Sequence, residues 1–223
     1  MLVLVMAGLL AAAAPSALEM ARDQQDRATL EKLINEYSAE ASKAPTDAAA
    51  QYKVALACSY LAEVAIEQHD KKAARPAAER GIPAADKALS LKPEVAEYYR
   101  VLATLYGQAV TDLMSGLKYG PKAKDAVAKA VEKAPNSSSV YVARGVGNYY
   151  LPAQLGGGPA VAIPDFQKAI QLDPKNAEAY LWLGISLRQS NKDAEARAAF
   201  TKSLALAPNR VWTKQQLDKT PAK

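Results

Sequence analysis

Residues 177–210 read AEAYLWLGISLRQSNKDAEARAAFTKSLALAPNR, and the spacing inside this stretch decides the fold. Leu183, Gly184 and Leu187 put a large, a small and a second large side chain on one stripe of a helix, because residues three and four apart share a face. Ala196, Phe200 and Ser203 repeat the device on a second helix, which Pro208 terminates. Asn176 and Asp193 supply the side chains that N-caps need. The stretch therefore reads as two helices joined by a short turn.

Upstream, the closing phrase returns in phase: DKALSLKP at 86–93, AKAVEKAP at 128–135, QKAIQLDP at 167–174 and TKSLALAP at 201–208. Five places before each proline stands a small residue, Ala88, Ala130, Ala169 or Ser203. Eight places before it stands Ala85, Val127, Phe166 or Phe200, and twelve before it Gly81, Ala123, Ala162 or Ala196. Offsets separated by three and four line one helix face, where small side chains let a neighbouring helix approach closely. The prolines are 42, 39 and 34 residues apart, which is the period of a helix-turn-helix solenoid. Leu56-Ala57-x-x-Tyr60 and Leu102-Ala103-x-x-Tyr106 repeat the stripe of the first helix, whereas in the third unit Gly145 and Gly147 both qualify as its small residue.

Tyr180, Leu183, Gly184, Leu187, Ala196, Phe200, Ser203 and Pro208 stand at the signature places of the tetratricopeptide repeat, and the 34-residue unit 177–210 closely resembles that consensus. The resemblance covers residues 46–208 and implies an all-α, right-handed superhelical solenoid of about four repeats. The expected division is a signal peptide at 1–16, a leading helix at 17–45, repeats at 46–93, 94–135, 136–174 and 175–209, and a short capping helix and tail at 210–223. A finer similarity, carried by 81–89 (GIPAADKAL), Leu151-Pro152 and Gly156–Gly158, is to periplasmic repeat proteins that accompany TRAP-type transporters and to regulators of microtubule dynamics. It implies a periplasmic, sometimes oligomeric protein that handles a small hydrophobic ligand.

The address rests on the first sixteen residues. Leu2–Ala14 is apolar and uncharged, too short for the ~20 residues that span a bilayer and suited to the core of a signal peptide cleaved near Ser16. No Lys or Arg precedes it, so two alternatives stand: the start lies further upstream, or the segment is an ordinary buried helix. On the export reading the protein is periplasmic or secreted.

With 223 residues, 50% hydrophobic and 23% charged, the chain can bury a core. One cysteine, Cys58, and one histidine, His69, provide neither a disulfide nor the usual ligands of a metal centre. No spacing brings paired carboxylates together, so catalysis is not expected, and no cofactor is implied. The net charge of +5 is spread along the chain rather than gathered into a phosphate-binding face, which argues against nucleic acid. Gly156–Gly158 lacks the Lys-Ser or Lys-Thr of a phosphate loop and reads as a connector.

In a tetratricopeptide array the first helices line a concave groove. Phased on the signature residues, its exposed face holds Val54 and Cys58, then Arg100, Thr104 and Gln108, then Val142, Val146 and Tyr149, and finally Leu181, Ile185 and Arg188. The Lys/Asn clamp of chaperone-tail binders is missing from these places. An exposed apolar strip of this kind marks an interaction surface, so the expected partner is a protein or peptide segment seated on Arg100, Thr104, Val146, Tyr149, Leu181, Ile185 and Arg188. A small hydrophobic ligand and a homo-oligomer are the other partners considered. The competing outcome is that the extended helices or the glycine-rich insert fold over the strip and bury it.

Overall fold

The computed structural model describes residues 15–222, so the proposed signal segment lies, but for its last two residues, outside the described residues. Within them the chain folds into eleven α-helices and one 3-10 turn, without a strand. Four helical pairs follow the repeat spacing: α3 (Ala48–Glu67) with α4 (Lys71–Leu91), α5 (Ala96–Gln108) with α6 (Leu113–Lys133), α7 (Ser138–Tyr150) with α8 (Pro159–Leu172), and α9 (Ala177–Gln189) with α10 (Asp193–Leu206). Each first helix packs on its own second helix and on the first helix of the next pair. The fold is an all-helical solenoid.

The leading segment differs from the single helix expected over 17–45. It holds α1 (Ala17–Asp23) and α2 (Arg27–Lys43), separated by a tight turn. Gln25 lies at φ 57°, as His69 and Asn191 lie at 61° and 60° in the corresponding turns after α3 and α9. In all three, the amide following that residue donates back to a carbonyl five residues before it: Asp26 to Ala21, Asp70 to Ala65 and Lys192 to Leu187, at 2.8, 2.8 and 3.0 Å. This left-handed helix ending satisfies carbonyls the helix leaves free. The shared turn makes α1 and α2 a fifth, shortened helical pair. At the other end α11 (Val211–Asp218) packs on α10.

Close packing explains the repeating small residues. A Cβ on Gly184 would stand 2.6 Å from Phe200 Cε1, and one on Gly145 would stand 2.5 Å from Phe166 Cε1. Where the second helix carries phenylalanine, the first must carry glycine; where it carries Ala85 or Val127, Ala57 and Ala103 suffice. Gly145 is therefore the small residue of the third unit, since a Cβ on Gly147 would meet nothing. Pro76, Pro83, Pro121 and Pro164 lie inside second helices on exposed faces, where a missing amide donor faces water. The second helix of the last pair starts at Asp193 itself, so Lys192 rather than Asp193 holds the N-cap, without a side-chain cap bond.

The insert after α7 is built for its turn. Gly156 and Gly158 have φ of 83° and 117°, and a Cβ on Gly157 would collide with the Leu151 carbonyl. Arg144 and Asn148 on α7 both donate to the buried carboxylate of Asp165 on α8, which pins the two ends of the loop. The three glycines are a connector.

Candidate functional site: the inner wall

The first helices α1, α3, α5, α7 and α9 neighbour one another in sequence order, and the circle then closes. Arg22 on α1 reaches Glu178 on α9 at 3.4 Å. Arg210, at the N-terminus of α11, lies between them and α3. Its Nε donates to Glu178 at 3.0 Å, while its terminal nitrogens donate to Glu63 at 2.6 Å and to both oxygens of Glu67 at 2.5 and 3.1 Å. Asp23 stands 3.7 Å away. Gln25 adds a donor to Glu67 at 2.8 Å and bonds Gln215 of α11 at 3.2 Å. The first and last helical pairs are thus tied across more than 140 residues of chain through a guanidinium that is only 1% exposed.

Two guanidiniums, Arg22 and Arg210, face four carboxylates, Asp23, Glu63, Glu67 and Glu178. Burial and the excess of negative charge have the expected effect. The Glu63 carboxyl is pushed up to about 8, first by burial and then by Glu178 and Glu67, against the pull of Arg210 and Arg22. Burial also raises Glu67. For Glu178 burial acts upward too, but Arg210 and Arg22 together hold it below its ordinary value. A carboxylate surplus in a weakly screening interior is relieved by holding a proton.

The rest of the inner wall is aromatic and charged. Arg22 lies over the Tyr60 ring at 4.8 Å. Tyr52 donates to Glu97 at 2.9 Å, and Arg100 donates to both oxygens of the same carboxylate at 2.5 and 2.7 Å. Tyr150 stands edge-on to Tyr149 at 5.0 Å and to Trp182 at 6.0 Å. Burial, Tyr149 and the nearby Glu67 and Glu63 raise its phenol, yet the side chain remains 56% exposed. The inner wall therefore leaves Tyr150 accessible.

The residues expected to form one apolar groove are divided. Leu181 and Ile185 are buried, with Val146 and Tyr149 packed against the same cluster, which also contains Phe166, Trp182 and Trp212. The reason is α11. Its Trp212 meets Trp182 at 5.3 Å, and Arg188 donates to the carbonyl and side chain of Gln216 at 3.1 and 2.6 Å. Helix α11, rather than the extended helices or the glycine-rich insert, covers the strip, so Leu181, Ile185 and Arg188 are not an open binding surface. Val54 and Cys58 are buried as well. Arg100 and Thr104 remain half-buried on α5, Arg100 paired with Glu97 and Thr104 donating to the Arg100 carbonyl at 3.0 Å.

Sequence reasoning missed the cluster that closes the circle and expected no carboxylates to converge. One signal was present: Glu63 and Glu67 are one turn apart on a helix otherwise rich in alanine and apolar residues, where a lone acidic pair demands partners. Those partners fill the acceptor sites of the carboxylates with guanidinium and amide donors, so the cluster serves closure. Among the described residues no group of His, Cys, Asp or Glu is arranged to hold a metal, and no helix is long and apolar enough to cross a membrane.

This geometry defines an all-helical solenoid of tetratricopeptide-like fold whose first helices enclose a polar inner wall. A sequence model of the tetratricopeptide repeat matches residues 156–211. The chain is similar in fold to TTC0263, a thermophilic repeat protein of Thermus thermophilus, at 19% identity over 89% of this chain and 98% of that one, with a TM-score of 0.57. It is similar also to the HusA haemophore of Porphyromonas gingivalis, at 19% identity over 80% of this chain and 96% of that one, with a TM-score of 0.55. No curated protein sequence matches the chain.

Proposed function

We propose that the protein is a non-catalytic binding module, exported by its N-terminal segment, whose inner wall receives a polypeptide segment of a partner. The observation that carries this reading is Tyr150, an aromatic side chain 56% exposed inside the superhelix, flanked by Tyr149 and Trp182. Tyrosine combines a large contact area with a polar tip and is enriched where binding energy concentrates. The charged groups beside it suit a peptide better than a hydrophobic small molecule. An apolar ligand would offer the exposed Tyr150 phenol no hydrogen-bond partner.

Peptides selected from a random library against the full chain test the proposal. Their affinity for Tyr150→Ala should fall by about tenfold or more, the cost of truncating an aromatic hot spot, and should be unchanged for Leu155→Ser on an outer turn. Equal affinity for wild type and Tyr150→Ala defeats the reading. For export, the expected result is a processed chain starting near Ser16 in the exported fraction; an unprocessed chain confined to the cytosol defeats that part.

A further inference from the structure

The apolar side chains left in water are concentrated at one end of the molecule. Helical hairpins alternate in direction, so every turn within a pair lies at the same end of the solenoid, and the turns between pairs lie at the other. Leu113, Met114 and Leu117 at the start of α6 are 79%, 73% and 67% exposed, and Leu155 in the next turn is 70% exposed. Val161 at the start of α8 is exposed as well.

These are the places where the repeats exceed the 34-residue unit. Helices α4 and α6 have 21 residues against 14 in α8 and in α10. The C-terminal end of α6 is fixed by the recurring proline phrase, so its seven extra residues add about 10 Å at the N-terminal end; Ser115 and Tyr119 among them pack inward, and Leu113, Met114 and Leu117 face out. The third pair places its extra residues in the loop that carries Leu155. Nothing in the packing of the solenoid requires a leucine at these positions.

Asp26 and Asp193, in the first and last turns of this end, make no ion pair among the described residues, whereas around α4 and α6 the free charge is mainly positive. Asp70 and Asp112 are paired with Arg27 and Arg75 at 2.9 and 2.5 Å. Lys71, Lys72 and Lys118 are exposed and make no ion pair among the described residues. Exposed lysines thus border protruding aliphatic side chains, with Glu79 the carboxylate nearest Lys118.

The geometry points to an anionic lipid surface as the partner of this end: Leu113, Met114, Leu117 and Leu155 enter the acyl boundary while Lys71, Lys72 and Lys118 meet the headgroups. A protein partner fits less well, because the hot spots of protein interfaces are Trp, Tyr and Arg, with leucine under-represented and lysine depleted. Peripheral membrane attachment uses the combination found here, aliphatic insertion assisted by lysines facing anionic headgroups. This surface is separate from the inner wall, so it stands whether or not that wall binds a peptide.

An environment-sensitive fluorophore on Leu155→Cys tests the proposal in the full chain. Labelling is selective because Cys58 is buried and its thiol is raised to about 11 by burial. With vesicles of phosphatidylglycerol and phosphatidylcholine in equal parts at low salt, the emission should shift to the blue, and the shift should weaken as salt rises. The same label on Glu94→Cys, at the opposite end, should not respond. Adding Leu113→Ser and Leu117→Ser should lower the vesicle affinity by roughly a hundredfold, about tenfold for each leucine kept out of the bilayer. Lys71→Glu with Lys72→Glu should weaken it further. Three results overturn the assignment: no shift at 155, an equal shift at 94, or vesicle affinity indifferent to the leucine substitutions. A dimer in solution that those same substitutions dissociate, without vesicle binding, would assign this end to a second copy of the chain instead.

Discussion

Replacing Arg210 with methionine removes the cation on which the two ends of the superhelix converge while keeping much of its volume. Glu67, as deeply buried as Arg210, would keep only the Gln25 amide as a donor, and Glu63 would lose its 2.6 Å partner. Removing one member of a buried ion pair costs about 3–5 kcal/mol, a large share of the 5–15 kcal/mol typical of a folded domain. Urea unfolding followed by circular dichroism at neutral pH measures the loss. The double variant Arg210→Met/Glu67→Leu should recover part of it, because the most deeply buried carboxylate is then gone while Glu63 and Glu178 still lack Arg210. The pH dependence has a definite sign. Glu63 is raised from 4.5 to about 8 in the folded state, so its contribution is complete below about pH 4.5 and is lost as pH rises towards 8. The slope is at most about 1.4 kcal/mol per pH unit. Glu67 acts in the same direction, whereas Glu178, shifted down, loses its contribution only below its ordinary value. Glu63→Gln should flatten the slope, and the penalty of Arg210→Met should shrink in acid, where a protonated carboxyl needs no cation. An Arg210→Met protein as stable as wild type at neutral pH, or a penalty that grows in acid, would refute the reasoning.

Other consequences follow from packing. Gly184→Ala places a Cβ 2.6 Å from Phe200; overpacking costs about 1–3 kcal/mol against a helix-propensity gain of about 0.8–1 kcal/mol, so a net loss is expected in thermal unfolding. Phe200→Leu in the same chain should restore part of it, and a stabilised Gly184→Ala would show that the ring has room to move. The Cys58 thiol, raised to about 11 by burial, should resist disulfide exchange reagents in the native protein at mildly alkaline pH and react on unfolding. Rapid native-state modification would contradict its burial. Open solenoids couple each repeat only to its neighbours, but Arg210 couples the ends. Tryptophan fluorescence, which reports Trp182 and Trp212 in the C-terminal cluster, should therefore follow the same unfolding transition as circular dichroism in wild type. In Arg210→Met the two should separate, and coincident transitions in that variant would show that the closure does not carry the cooperativity.

The four helical pairs from α3 to α10 were legible because their determinants are local. A glycine facing a phenylalanine, a proline that ends a helix and an offset of three or four residues all act within forty residues of chain. The pair α1 and α2 was harder to read because the phrase is broken there. Glu40, exposed, stands five places before Pro45 where the other units have a buried alanine or serine. As the outermost second helix, α2 has no neighbour on one side, so selection for a small side chain at that place is absent. Its turn carries Gln25 in a left-handed conformation that glycine or asparagine usually signals, which hides the boundary.

The groove failed for a different reason, and that failure determines where binding can occur. Periodicity states which side of a helix is apolar but not what covers it, and Leu181 and Ile185 would line an open trough if the chain stopped after α10. The cover is an eight-residue helix with a single tryptophan, expected only as a capping helix at the end of the solenoid. Trp212 supplies the apolar contact, and Arg188, expected among the groove residues, instead holds α11 through Gln216. Arg210 then needs carboxylates brought from α3, α9 and α1, and these can meet only when the superhelix has completed its turn. Closure therefore removes the apolar strip as a binding surface and leaves the tyrosine-lined, charged wall around Tyr150 as the accessible interior. A partner that entered by displacing α11 would have to replace both the Trp212 contact and the Arg210 ion pairs, whereas one that meets Tyr150, Arg100 and Thr104 leaves the closure intact.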